Sequence, residues 1–283
     1  MKTITQEQLR SIDINVRAYY DYQAERTAID GRLGKKKDGR FKKGTPERDE
    51  YMLLALQNRR DEIFMFEEMM EKEITKSVQE HPLWIYFLKN VKGCGPVMAG
   101  VIITQFDIHK APMASNLVSF AGLAPGKDKK IKGKKCSFNQ FLRAKLCGVL
   151  GSCFLQCKSV PYSGYYYEYK TRLENSDRET EEWLYKEDRK KKEYNGMKTR
   201  TVKWKDGYVD HRHKAAIRKM IKMFLQDLYV AWREIEGLPV RKSYAEEYLG
   251  KKHGEVVNVD FRKATVPEKT NKFVRIKKAK VIG

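Results

Sequence analysis

The sequence lacks an apolar segment long enough to cross a membrane. No run of about 18 apolar residues occurs in the 283 residues. The start, MKTITQEQLR, is polar and has no apolar core of the kind that a signal peptide carries. We therefore expect a cytoplasmic protein with no membrane partner.

Cysteine is scarce, and its spacing does not suit a metal site. The count is odd, and no Cys-x-x-Cys pair occurs among Cys94, Cys136, Cys147, Cys153 and Cys157. An odd number of cysteines in such a chain favours reduced thiols over a disulfide framework. Small buried core residues are the favoured interpretation, and the alternative is a metal site around the spaced pair Cys153 and Cys157.

Catalytic signatures are also missing. The sequence has no G-x-S-x-G, no H-E-x-x-H and no Walker loop. A nuclease with two divalent metals needs several converging carboxylates, whereas Asp13, Asp21, Glu67 and Glu68 fall on amphipathic helical patterns that favour a solvated face. These absences predict a protein that is not an enzyme and has neither metal nor cofactor.

Positive charge is what the chain has in excess. It carries 58 Lys and Arg against 37 Asp and Glu, a formal net charge of +21. Like charges repel in a compact state, so such an excess predicts a polyanionic partner. Nucleic acid is the usual one. An anionic membrane surface and a merely basic solvated exterior are the alternatives.

The apolar pattern predicts a mainly α protein. Helical spacing over 3–33 and again over 46–80 predicts two long helices joined by the basic loop GKKKDGRFKKGTP. Such a pair forms an antiparallel helical hairpin, or coiled-coil arm. We predict three parts: the hairpin over 1–81, a helical domain over 82–240 and a basic C-terminal extension over 241–283.

The central region predicts further helices separated by glycine-rich turns. After a helix–turn–helix over 83–105, helices are expected at 113–122, 138–157, 177–194 and 211–236. Two short strands are predicted around 198–204, in the basic segment NGMKTRTVKWKDGYVD.

The helix–GxG–helix turn is the first candidate site. Glycines allow positive φ there, and the unpaired N–H groups at the start of the second helix can bind a phosphate. The residues are Lys92, Gly93 and Gly95, with Pro96 opening the helix. An ordinary tight turn between packed helices is the alternative.

A second candidate is the lysine-rich loop ahead of the predicted helix at 138. Its cations are Lys127, Lys129, Lys130, Lys132, Lys134 and Lys135, and Ser137, Asn139 and Arg143 follow. Lysines beside a helix N-terminus suit phosphate binding, and an arginine can bind a phosphate with two hydrogen bonds. A basic loop without defined structure is the alternative.

Two further basic stretches lie later in the chain. In PYSGYYYEYKTRLEN, tyrosines alternate with cations and could stack on unpaired bases, although filling a helix–helix interface is favoured. In DHRHKAAIRK, the cations Arg212, Lys214 and Arg218 crowd the start of an amphipathic helix. His211 and His213 are spaced unsuitably for one metal on a helix.

Three short motifs, in order, resemble a known family. Val91 to Pro96 (VKGCGP), Ala121 to Pro125 (AGLAP) and Asn139 to Arg143 (NQFLR) look like the C-terminal domain of insertion-sequence transposases that work with a bridge RNA. The resemblance covers roughly 85–235. Where those transposases carry a RuvC-like nuclease domain, this chain has the predicted helical hairpin, and Ser137 departs from the family's nucleophile position.

A helical hairpin followed by such a domain resembles the Nop domain of box C/D ribonucleoproteins. The segment RHKAAIR, with Arg212, Lys214 and Arg218, looks like that family's basic helix, and the resemblance implies that these cations contact RNA. The overall pattern is most similar to the Tas proteins of TIGR-Tas systems, and within them to the nuclease-free, TasA-like form. That resemblance implies a prokaryotic or phage protein that holds a small guide RNA, targets DNA by base pairing of the guide and dimerises through the hairpin.

Two other functions stay open at the level of sequence. One is a transposase-related strand-transfer enzyme that uses Ser137 as its nucleophile. The other is a DNA-coating protein that binds any duplex without RNA, with a steep dependence on salt.

Overall fold

The computed structural model describes residues 5–34, 50–126, 133–190 and 197–241, and over them the protein is mainly helical. The described part contains no helix with both the length and the apolar character needed to cross a bilayer. The first half of the predicted lysine loop, the start of the second helix and nearly all of the C-terminal extension lie outside these residues.

Two long helices, α1 (Gln6–Leu33) and α2 (Glu50–Gln79), lie along each other. Thr5 caps α1 in a capping box, and Gly34 ends it with a φ of +69°. The contacts run in opposite directions along the two helices: Tyr22 stacks on Phe66, whereas the later Asp30 pairs with the earlier Arg60. The helices are therefore antiparallel over their described lengths.

The central region begins at His81, whose side chain caps the short helix α3 (Pro82–Tyr86). A 3₁₀ turn (Leu88–Asn90) and the glycine turn at 91–95 follow, and Pro96 opens α4 (Pro96–Gln105) as predicted. Next come α5 (Ala114–Phe120), α6 (Gln140–Ala144), a π-helical turn (Lys145–Leu150), α7 (Gly151–Gln156) and α8 (Tyr162–Glu174). We call the continuous helical run over 140–156 the site helix.

The predicted helix over 177–194 is wrong over its described part, 177–190. Its first part is the strand β1 (Glu179–Trp183), which pairs antiparallel with β2 (Thr199–Lys203), and a 3₁₀ turn (Asp188–Lys190) follows. Two short strands were predicted around 198–204; the structure has one there, β2, and it pairs with β1. Side chains alternate along a strand, so Glu182 and Leu184 are buried while Glu181 and Trp183 are exposed. The contacts that hold Glu182 come from distant residues, which explains why helical spacing misled.

One hydrophobic core joins the long helices to the central region. It unites Ile12 and Val16 of α1 and Ile74 and Val78 of α2 with α4, the site helix and the last helix, α9 (Val209–Ile235). Gly100 of α4 allows the close approach, since a Cβ there would lie 2.9 Å from Val16 Cγ2. The core therefore crosses the boundary that we predicted near residue 81.

Candidate nucleic-acid interface

Asn139 defines the start of the site helix. Its Oδ1 accepts a hydrogen bond from the Leu142 N–H at 3.0 Å, and its Nδ2 donates to Gln105 Oε1 at 2.9 Å. Its backbone N–H donates to the Phe120 carbonyl. Sequence analysis predicted that Asn139 binds phosphate. In the structure its side chain instead caps the site helix and links the helix start to Gln105 of α4.

The Asn139 contact belongs to a network that ties three helices together. Gln105 at the end of α4 donates to Asp13 Oδ1 at 2.6 Å, and Asp13 Oδ2 accepts from Arg17 Nε at 2.9 Å. The start of the site helix is therefore held in place relative to α1. Such placement matters because a helix N-terminus attracts anions only where its orphan N–H groups are presented to them.

Phe138 positions Arg143 at this helix start. The Phe138 ring packs on the backbone of Gly122, where a Cβ would lie only 2.4 Å from the ring, and Gly122 has a φ of +67°. The Arg143 guanidinium lies over the same ring, 5.0 Å from its centroid. The ring thus contacts both the Gly122 backbone and the guanidinium, and the cation–π contact stabilises this position of the arginine.

Arg143 of the site helix and Arg218 of α9 both lie near Cys147. The two helices pack closely, since a Cβ on Gly151 would lie 3.0 Å from Ile217 Cγ2. Burial raises the pKa of the Cys147 thiol, and the positive charges of Arg143 and Arg218 partly oppose that rise. Both arginines are partly exposed, although they are 75 positions apart in sequence.

Lys134 and Lys135 add positive charge in the loop before the site helix. Both are exposed and come just before Phe138. Lys127, Lys129, Lys130 and Lys132, predicted to bind phosphate with them, lie outside the described residues. We call Lys134, Lys135, Arg143 and Arg218 the basic cluster. Guanidinium and ammonium groups bind phosphate oxygens by charge-assisted hydrogen bonds, so the cluster suits a polynucleotide backbone.

The other cations predicted at the start of α9 have internal partners. Arg212 is 8% exposed, and its Nη1 donates to the carbonyls of Trp204, Lys205 and Gly207 at 2.9, 3.1 and 2.6 Å. It anchors the loop between β2 and α9. Lys214 is exposed but forms an ion pair with Asp210 at 2.7 Å. The described geometry therefore brings Arg218, of the three, into the basic cluster.

The glycine turn packs against the far end of the site helix. A Cβ on Gly93 (φ +93°) would lie 3.3 Å from the Cys153 backbone, so glycine permits close packing there. Gly95 caps α4 and lines a cleft of about 200 Å³ with Tyr20, Glu71 and Cys153. Cys153 follows Arg143 by ten residues, about 15 Å along a helix. Lys92 is exposed beside this turn, so the two predicted phosphate sites are separate.

The tyrosines of α8 divide between core and surface. Tyr162 and Tyr166 are buried, Tyr165 and Tyr169 are partly buried, and Tyr167 is exposed. Tyr162 donates to Asp227 Oδ2 at 2.9 Å, and the Tyr166 hydroxyl lies 2.6 Å from His213 Nδ1. The core interpretation therefore holds for Tyr162 and Tyr166.

Sequence analysis missed Gly122, Phe138 and Gln105, the residues that orient the cluster. The sequence does mark Gly122, since glycine commonly follows a helix end. No local pattern shows that Phe138 contacts Gly122 or that Gln105 contacts Asn139. Ser137 is exposed in the loop before the site helix. The described residues contain no group of three His, Cys, Asp or Glu side chains able to hold a metal ion.

Comparison of the chain with protein-family models, with curated proteins and with solved structures finds no match.

Proposed function

We propose that this protein binds RNA without catalysing a reaction and that the RNA is a small guide that pairs with target DNA. The observation that supports the proposal best is the basic cluster, in which the partly exposed Arg143 and Arg218 both lie near Cys147 and the exposed Lys134 and Lys135 precede the site helix. The net charge of +21 supports the same partner class. Because the guide would read the target by base pairing, the protein needs mainly backbone contacts.

The family resemblance supplies the finer parts of the proposal. It implies a Nop-like arrangement of the central domain, a prokaryotic or phage origin in the cytoplasm, and the choice of guide RNA and DNA target. The proposal also includes a homodimer formed through the long helices. Large apolar side chains exposed on α2, namely Tyr51, Leu54, Met65 and Met69, support self-association, since exposed apolar surface favours burial against a partner.

The test begins with the protein purified from its host. We expect a co-purified RNA of defined length, identified by sequencing, and light scattering of that complex reports whether it holds one or two chains. Incubation with magnesium and supercoiled DNA should leave the DNA intact. Cleavage that disappears in Ser137→Ala would instead support the strand-transfer enzyme. A protein free of RNA that binds every duplex equally would support the DNA-coating function.

The basic cluster itself is tested with two charge-removing substitutions. Arg143→Gln combined with Arg218→Gln should weaken RNA binding at least tenfold and reduce the salt slope by about one unit per arginine, because each phosphate contact releases counterions. The matched control is Arg59→Gln, an exposed α2 arginine that pairs with Glu25, which should change neither quantity. Equal effects of the cluster and control variants would contradict this placement of the RNA.

A further inference from the structure

The β1–β2 hairpin exposes large apolar side chains at one end. Trp183, the last residue of β1, is 64% exposed, and Met197, just before β2, is 56% exposed. Of the other three tryptophans, Trp84 and Trp204 are partly buried and Trp232 is buried. Trp183 is thus the tryptophan that this chain presents to solvent, on the strand β1 that was predicted to be helical.

The hairpin holds Trp183 in a fixed direction. The neighbouring Glu182 is fully buried, forms an ion pair with Arg200 at 2.6 Å and accepts a hydrogen bond from the Tyr208 N–H at 2.8 Å. Because side chains alternate along a strand, anchoring Glu182 on the inner face turns Trp183 to the outer face. An aromatic ring held this way loses little conformational freedom when it binds a partner.

The charged side chains near Trp183 differ on its two sides. Past the end of β1, Lys198 lies opposite Leu184, whose N–H donates to the Lys198 carbonyl at 2.9 Å, and Lys186 follows Trp183 by three residues. Both lysines are exposed. Toward the start of β1, the exposed Glu181 lies two residues before Trp183 on the same face of the strand. A polyanion is therefore favoured past the end of β1 and opposed by Glu181 on the other side of Trp183.

We propose that Trp183 stacks on an unpaired base of a single-stranded segment of the bound RNA, with Lys186 and Lys198 contacting the adjoining phosphates. This inference rests on the proposed RNA-binding function and adds a second contact to the basic cluster. An exposed indole with two lysines past the end of its strand fits a nucleobase, because every base offers a π-face and its phosphates need cations. Glu181 limits the contact to the end of the hairpin.

The test measures binding of one fluorescein-labelled RNA, single-stranded and as a duplex, to the full chain. Trp183→Ala should weaken single-strand binding about tenfold, the magnitude of one stacked base, and leave duplex binding and the salt slope unchanged. Trp183→Phe should restore most of the affinity. Tyr86→Ala, which removes another partly exposed aromatic ring, is the matched control and should have no effect. Thermal unfolding verifies that each variant is folded.

Tryptophan fluorescence gives an independent readout. Single-stranded RNA should quench the wild-type emission, and most of that quenching should vanish in Trp183→Phe while the RNA still binds through the basic cluster. An RNA with abasic nucleotides should quench little. Unchanged single-strand affinity in Trp183→Ala, or quenching retained in Trp183→Phe, would overturn the inference.

Failure of the proposed function gives a different pattern. If the wild-type chain binds no RNA, single-stranded DNA of the same sequence is tested in the same way. Quenching by that DNA, lost in Trp183→Phe, would support base stacking while rejecting the RNA. Loss of RNA binding in the Arg143 and Arg218 variant, with no effect of Trp183→Ala, would leave the proposed function standing and reject the role of Trp183.

Discussion

Arginines have different partners in the two regions formed by the long helices and by the start of the site helix. Between α1 and α2, arginines face carboxylates: Arg26 pairs with Glu67 and Arg60 with Asp30. At the site helix, Arg143 lies over an aromatic ring, and Arg218 approaches a thiol. Paired charges cancel locally between the long helices, whereas the described residues place no carboxylate within ion-pair distance of Arg218, whose positive charge can attract a polyanion. The location of the cations, more than their number, therefore distinguishes those that stabilise the fold from those that we propose bind nucleic acid.

The largest expected effect breaks a charge pair between the long helices. Arg26→Met leaves the buried Glu67 carboxylate without its ion-pair partner, which is 2.5 Å away in the wild type. We expect a loss of about 4 kcal/mol in the free energy of unfolding, measured by urea denaturation, because an uncompensated buried charge is costly.

The control for that substitution is Arg59→Gln, which breaks an exposed pair with Glu25 and should cost less than about 1 kcal/mol. Affinity for RNA should be unchanged in folded Arg26→Met. A loss of RNA affinity as large as that in the basic-cluster variant would erase the contrast between the two regions.

A second, somewhat smaller effect is the pH dependence of the unfolding free energy. It has opposite signs for His81, which follows α2, and for Asp227, which lies on α9. Burial lowers the pKa of His81 from 6.5 to about 4, and its Nδ1 accepts from the Leu83 N–H. Burial raises the pKa of Asp227 on α9 from 3.8 to about 6, although the hydrogen bond from Tyr162 opposes that rise. The two groups act oppositely between pH 4 and 6.

The folded state binds fewer protons than the unfolded state at His81, so stability from this group is lost as pH falls from 6.5 to 4. It binds more at Asp227, so that contribution is present below pH 3.8 and lost as pH rises through about 6. Asp227→Asn should therefore make stability rise by about 3 kcal/mol from pH 4 to 6.5, and His81→Asn should make it fall by a similar amount. Parallel pH profiles for the two variants would contradict these assignments.

The smallest expected effect tests whether the Phe138 ring orients Arg143. Gly122→Ala forces a Cβ into the Phe138 ring at a positive φ. We expect a cost of about 2 kcal/mol in unfolding free energy and weaker RNA binding, because Arg143 loses its support. Gly126→Ala, also at a positive φ but with no neighbour within 4 Å, should cost less and leave binding intact. Equal binding by both variants would show that Phe138 does not orient Arg143.

Local rules predicted much of the helical framework. Helical spacing located α1, most of α2 and α9, and proline with glycine marked the start of α4. They failed at 177–194, where many charged residues suit an exposed helix, because Glu182 is held by Arg200 and Tyr208 from distant parts of the chain. Of the predicted phosphate-binding residues, Asn139 and Arg212 proved to be engaged in caps and loop anchors. The partners of a polar side chain are set by the folded structure, and the spacing of residues along the sequence does not predict them.

Composition and periodicity alone determined the mainly helical class, the excess of positive charge and the absence of a membrane-length apolar segment, since these depend on residue type and short-range order. Only the tertiary structure decided which cations bind partners within the protein and which belong to the basic cluster. The physical reason is that Gly122, Phe138, Arg143 and Arg218 are brought together by the packing of α5, the site helix and α9. Their association depends on a shared core and on no pattern within any one segment.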